Sequence, residues 1–188
     1  MNLLRAFILI FLITISACNG KKPPAPADTV VMLQQIQELG TVEYTITKVV
    51  KANDDKTWFK LGDRKILITC EASVKAGINL KELSEKDINI SGKTITIHLP
   101  LPEILSINMP PEKIKVGFEK VSLFRDPFTG KERDGLMVQA EQQIRSSGVQ
   151  SGIIEQAKVN TQLLLSRLLM QVGFKKVILS YDKSTNKQ

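Results

Sequence analysis

Residues 153–181 read IIEQAKVNTQLLLSRLLMQVGFKKVILSY, and this stretch decides the fold class. Ile154, Ala157, Thr161, Leu164, Leu165, Leu168 and Val172 recur at helical spacing, which predicts one long helix with a continuous apolar stripe. Gly173 stands where a left-handed cap would stop that helix. Residues 174–181 then take the composition of a strand. A long helix followed by a closing strand excludes an all-helical bundle and demands a sheet elsewhere in the chain.

Working back from this segment, the sheet is found. Over residues 41–51, Val42, Tyr44 and Ile46 alternate with Glu43, Thr45 and Thr47, the pattern of a half-buried strand. Residues 57–61 and 65–76 read as two more strands joined through Gly62-Asp63-Arg64. In the longer one Ile66, Ile68, Cys70, Ala72 and Val74 share a face, opposite Thr69, Glu71, Ser73 and Lys75. Residues 87–90 and 94–99 follow around Ser91-Gly92-Lys93, and Pro100 and Pro102 end the second of these. Residues 113–119 alternate again. Short helices are expected over 30–39 and from Asn79, where Glu82 completes a capping pattern. A further helix carries Leu136, Ala140 and Ile144 behind Asp134 as its cap, and Ser146-Ser147-Gly148 interrupts it. The expected architecture is α+β: an antiparallel or mixed sheet, two C-terminal helices packed on one of its faces, and a closing strand.

The amino terminus carries an address. Residues 1–17 combine Arg5 with the apolar run AFILIFLITISA, too short for a bilayer span of about 20 residues and in the form of a signal peptide. Ile15-Ser16-Ala17-Cys18 resembles the bacterial lipobox, in which the cysteine receives lipid and becomes the new terminus. Residues 18–29 then form a lipidated Cys18 and a proline-rich tether, with Lys21 and Lys22 near the headgroups. Residues 30–182 are expected to be a single α+β domain and 183–188 a polar tail. The expected location is the cell envelope, lipid-anchored to a bacterial membrane, on the periplasmic side or at the outer membrane.

Composition narrows the function classes. With 188 residues, 43% hydrophobic and 24% charged, the chain is an ordinary globular protein and not a polytopic membrane protein. The formal charge is +7, but the lysines are scattered singly and only 5% of residues are aromatic, so nucleic acid is not an expected partner.

Several blocks come in a recognisable order. They are residues 74–80 (VKAGINL), 95–100 (ITIHLP) with Glu103-Ile104-Leu105, the Leu123-Phe124 pair, and the helical Gly152-Ile153, Ala157-Lys158-Val159-Asn160, Leu168-Leu169 and Gly173-Phe174. Together they resemble the domain-of-unknown-function family 4230, bacterial envelope proteins held by an amino-terminal membrane segment or lipid. This chain differs in having a lipobox where a membrane helix often stands. The resemblance implies no activity, ligand or catalytic residue.

The residues offer little chemistry of their own. His98 is the single histidine and is expected on the polar side of its strand. Cys70 is expected to face inward as a small hydrophobe, an intermolecular bridge being the alternative. Catalytic, cofactor-binding and metal-binding residues are all expected to be absent, and no cofactor is implied. The loop 124–134 (FRDPFTGKERD) is the most function-like segment. Phe124, Arg125, Lys131 and Arg133 are its candidate protein contacts, and a solvated loop with inward-packed phenylalanines is the plainer alternative. The expected role is non-enzymatic binding or scaffolding with an envelope protein as partner and the membrane reached through the lipid. A hydrolase-type enzyme built on carboxylates, or a lipid-surface module using Lys21, Lys22, Lys175 and Lys176, stays open beside it.

Overall fold

The computed structural model describes residues 24–54, 62–81 and 83–181. The expected signal segment, Cys18, the strand expected over 57–61 and the tail lie outside the described residues. In chain order the described elements are α1 (Pro26–Gln34), β1 (Glu38–Asp54), β2 (Arg64–Asn79), β3 (Ile88–Ser91), β4 (Thr94–Leu99), β5 (Glu103–Asn108), β6 (Ile114–Val121), α2 (Gly130–Gln150), α3 (Ile153–Val172) and β7 (Lys176–Tyr181). The chain is α+β, as its sequence predicts.

Among the described residues the strands form two sheets instead of one. In the first, the long β1–β2 hairpin pairs antiparallel, and the other edge of β2 is shared by β5 near its end and β6 near its start. In the second, β3 pairs antiparallel with β4, and β7 returns to lie parallel to β4 with Ile95 opposite Val177 and Ile97 opposite Leu179. Each sheet closes its own core. The first gathers Ile66, Ile68, Cys70, Ala72 and Val74 of β2 against Leu136, Ala140 and Ile144 of α2. The second gathers Val30 and Leu33 of α1, Ile95 and Ile97 of β4, and Leu165, Leu169 and Phe174. Among the described residues both cores lie between Val30 and Tyr181, within the chain from Asn19 onward.

Two elements cross from one core to the other. Ile153 and Ala157 of α3 belong to the first core and Leu165 and Leu169 to the second. In β2, Val74 and Ala76 face the first and Ile78 the second. Between the two lies a polar joint. The β1–β2 register shifts between Gly40 and Val42, leaving Thr41 as a bulge without an opposite residue. Its carbonyl accepts from Asn160 Nδ2 at 2.8 Å, and its hydroxyl donates to the Ala157 carbonyl at 3.1 Å. Thr161, fully buried, lies 3.3 Å from the same hydroxyl, so the joint's polar atoms are paired. Tyr181 closes the far side by donating to the Lys158 carbonyl at 2.9 Å, and burial pushes its phenol up to about 12.

Local readings shift where long-range packing decides. The buried positions of α3 are Ile153, Ala157, Thr161, Leu165 and Leu169, so the stripe is narrower than predicted, with Ile153 and Leu169 buried in place of Ile154 and Leu168, and Leu164 faces out, 45% exposed. Helix α2 begins at Gly130 behind Thr129, whose hydroxyl accepts from the Glu132 amide, not behind Asp134. It also runs through Ser146-Ser147-Gly148, because Gly148 is buried where α2 presses on Val74, Ile46 and Ile104. The break comes instead at Gly152, in the left-handed conformation with φ 79°. Helix α1 ends at Gln34, before the 39 expected. Asn79 starts no helix: its side chain accepts from the Lys81 amide in a local turn, and Ser84 with Asp87 forms the capping box of a short 3-10 turn. Segment 103–108, unassigned by pattern, becomes β5 by pairing with β2.

Gly77 sets the close approach at the joint. A Cβ there would sit 1.9 Å from the Leu39 carbonyl oxygen, a backbone atom with no room to yield. At Gly148 the nearest atom would be 3.4 Å away, ordinary contact. Gly77→Ala should therefore lower stability by about 1–3 kcal/mol in a urea titration, as overpacking does. Gly148→Ala should be neutral or slightly stabilising because alanine favours the helix. Equal effects would show that the hairpin, not the helix contact, gives way at Gly77.

Candidate functional site

The candidate loop leaves β6 at the end of the first sheet where β1 finishes and β2 begins. Ser122 anchors it: its amide donates to the Asp63 carbonyl at 3.0 Å and its hydroxyl to Asp63 Oδ1 at 2.8 Å. That hydroxyl bond, more than any nearby lysine, holds the Asp63 carboxyl below its usual range. The Arg125 amide then returns to the Ser122 carbonyl at 2.9 Å, closing a turn with Leu123 and Phe124 at its apex. These two side chains are 99% and 77% exposed.

Behind the apex the charges are bound to one another. Arg125 pairs with Asp54 and donates to the Gly62 carbonyl at 3.3 Å, with only 11% of its side chain exposed. Arg64 lies between Asp54 and Glu132, at 3.2 Å from each through Nε and Nη1, and stacks over the Phe128 ring at 4.6 Å. Glu132 also accepts from the Thr129 amide at 2.8 Å and its hydroxyl at 2.9 Å. The Arg64 bond first, and then the two Thr129 bonds, depress the Glu132 carboxyl to about 2. Arg133 grips Glu119 of β6 through both carboxylate oxygens at 2.9 and 2.8 Å and donates to the Phe128 carbonyl at 3.3 Å. Phe128 is buried beneath them.

This corrects the reading of the loop as a set of solvent-facing charges. Of its candidate contacts, Phe124 and Lys131 remain exposed, whereas Arg125 and Arg133 fasten the loop to β1 and β6. Phe128 packs inward and Phe124 does not. The residues that organise the region, Asp54, Arg64 and Glu132, carry one legible sequence signal, the Thr129-x-x-Glu132 capping box.

The remaining candidates sit apart. His98 is exposed on β4, its Nδ1 2.8 Å from Ser180 Oγ of β7. Cys70 is fully buried in the first core, and burial pushes its thiol pKa up, away from a nucleophile's requirement. Among the described residues, His, Cys, Asp and Glu side chains form no cluster of three suited to a metal. An open hollow of about 700 Å³ lies between the start of α1 and the β3–β4 turn, lined by Pro24, Pro26, Asp28, Ile90 and Lys93. It holds a single carboxylate and a single amine.

The fold and site together define a class: a two-sheet α+β protein whose conspicuous surface is an exposed turn braced by ion pairs. Residues 32–179 match the family described as protein of unknown function (DUF4230), and the chain belongs to it. No curated protein and no solved structure matches the chain.

The brace has an acid limit with a definite sign. A folded carboxyl at about 2, against an ordinary 4.5, adds stability that is present above 4.5 and lost as pH falls toward 2. Glu132→Gln should flatten that part of the Tm–pH curve, while Asp63 and Asp87, also depressed, keep a residual slope. A variant whose acid limb overlays that of the unaltered chain would remove Glu132 from the account.

Proposed function

We propose that this chain is a lipoprotein of the cell envelope, anchored through Cys18, that works by surface contact in binding or scaffolding and not by catalysis. An envelope protein is its partner. Ile15-Ser16-Ala17-Cys18 supports the anchor, and the proline-rich tether supports a body held off the lipid surface. No helix among the described residues is long and apolar enough to cross a membrane.

The observation that carries the contact reading is the turn at Leu123 and Phe124. Two large apolar side chains standing almost fully in water are costly unless covered. Here the Arg125–Asp54 and Ser122–Asp63 contacts hold the backbone in place, so the turn meets a partner already ordered. Lys131, on the first turn of α2 beyond it, adds an exposed charge.

Two measurements test this. Cys18→Ser should abolish incorporation of labelled fatty acid and block cleavage of the signal; labelling that persists would remove the anchor. Phe124→Ala with Lys131→Glu should impair complementation of a deletion by tenfold or more, about the 1–2 kcal/mol expected of an interface anchor, with Tm unchanged. His98→Ala should complement fully. The opposite pattern would overturn the contact reading and favour an enzyme.

A further inference from the structure

The face of the first sheet turned away from α2 is divided electrically. Toward β5 its charges are matched: Lys113 meets Glu71 at 2.7 Å and Lys75 meets Glu43 at 4.0 Å. Toward the start of β2 they are not. Directly opposed residues share a face, and here Ile66, Ile68 and Cys70 are buried, so Lys65, Leu67 and Thr69 point outward. Lys65 stands opposite Lys120, Leu67 opposite Lys51 and Phe118, and Thr69 opposite Val49 and Lys115.

Three rungs thus present four ammonium groups around an apolar centre. Phe118 is 51% and Val49 45% exposed. The acid that reaches these lysines is Asp63 at the rim, 3.8 Å from Lys65 and within electrostatic reach of Lys120; Lys51 and Lys115 have no ion-pair partner among the described residues. Like charges opposed across a ladder destabilise it, and the single Asp63 carboxylate does not neutralise both ammonium groups of the Lys65–Lys120 rung. Protection of edge strands accounts for the lysines on β1 and β6, but Lys65 lies on the central strand.

We infer that this half of the sheet docks on an anionic bilayer, with Lys51, Lys65, Lys115 and Lys120 at the headgroups and Phe118 and Val49 at the interface. Charge complementarity demands an anionic occupant, and the kind of cation selects among anionic occupants. Protein interfaces are enriched in arginine and depleted in lysine. At this end Arg64, Arg125 and Arg133 are ion-paired and the unmatched cations are lysines. Lysine stems lie along apolar surface while the ammonium reaches a headgroup, and a lipid surface accepts point charges without a fixed partner geometry. The face is separate from the Cys18 anchor and from Phe124 and Lys131, so it goes beyond the function proposed above.

The test uses residues 19–188, which carry both cores and no lipid, so failure of the anchor cannot mimic failure of the face. Sedimentation with vesicles of mixed phosphatidylglycerol and phosphatidylcholine should carry the chain down, and pure phosphatidylcholine should not. Replacing the four face lysines by Gln should lower the partition coefficient by roughly three orders of magnitude, about 1 kcal/mol per lysine. Replacing them by Arg should preserve it. A control with Lys86, Lys93, Lys175 and Lys176 changed to Gln should bind as before. No preference for anionic vesicles, or an equal loss in the control, would overturn the inference. A Gln variant that binds vesicles normally yet fails to complement a deletion would overturn it in favour of an acidic protein partner.

Discussion

Everything in this molecule hangs on one helix being buried at both ends by different sheets. The inward side of α3 gives Ile153 and Ala157 to the first core and Leu165 and Leu169 to the second. Neither sheet can turn relative to the other without pulling one pair of these side chains from its core. β2 repeats the arrangement in extended form, passing from Val74 to Ile78 across the same boundary. At the boundary the chain must change direction, and there it uses a bulge at Thr41, a glycine at 77 and a cluster of paired polar groups from Asn160 and Thr161. A bulge exposes a carbonyl that the ladder no longer uses, and Asn160 satisfies it. The joint is polar because the bulge is there.

Much of this was legible in the sequence wherever the deciding interaction is local. The alternation of Ile66 through Val74, the turn at Gly92, the strand 94–99 and the stop at Gly173 all follow from patterns within a few residues. The misread positions share a cause. Gly148 looks like a helix breaker by propensity, yet it is buried against Val74, so packing overrides propensity. Asp134 is an acceptable cap, but Thr129 with Glu132 offers both halves of a capping box. The division into two sheets was not legible, since strand alternation states which face is buried and not which neighbour covers it.

The loop 122–134 shows the same boundary between local and distant information. Its composition is that of a polar surface loop, and arginines in such loops read as exposed. Arg125 finds Asp54, Arg64 finds Glu132 and Arg133 finds Glu119 through the fold. Only the first two pairings draw on residues across the β1–β2 hairpin; the third joins β6 to the helix that follows it. With these charges satisfied internally, what the loop offers outward at its apex is Leu123 and Phe124, with Lys131 exposed beyond them. The surface is defined by what the ion pairs leave over.

The parallel pairing of β4 with β7 governs how the chain comes to be folded. Thr94 meets Lys176, so the second sheet joins residues far apart in sequence and awaits the final strand. Long-range parallel pairing carries a large loop-closure cost before it yields any contact. The first sheet faces no such delay, because β1 and β2 are neighbours in the chain. A chain emerging amino terminus first can therefore assemble its hairpin early, while the second core stays unfinished until Val177 and Leu179 of β7 arrive. Release of β7 is the event that completes the second sheet. During that interval it presents a half-finished apolar surface to whatever escorts it.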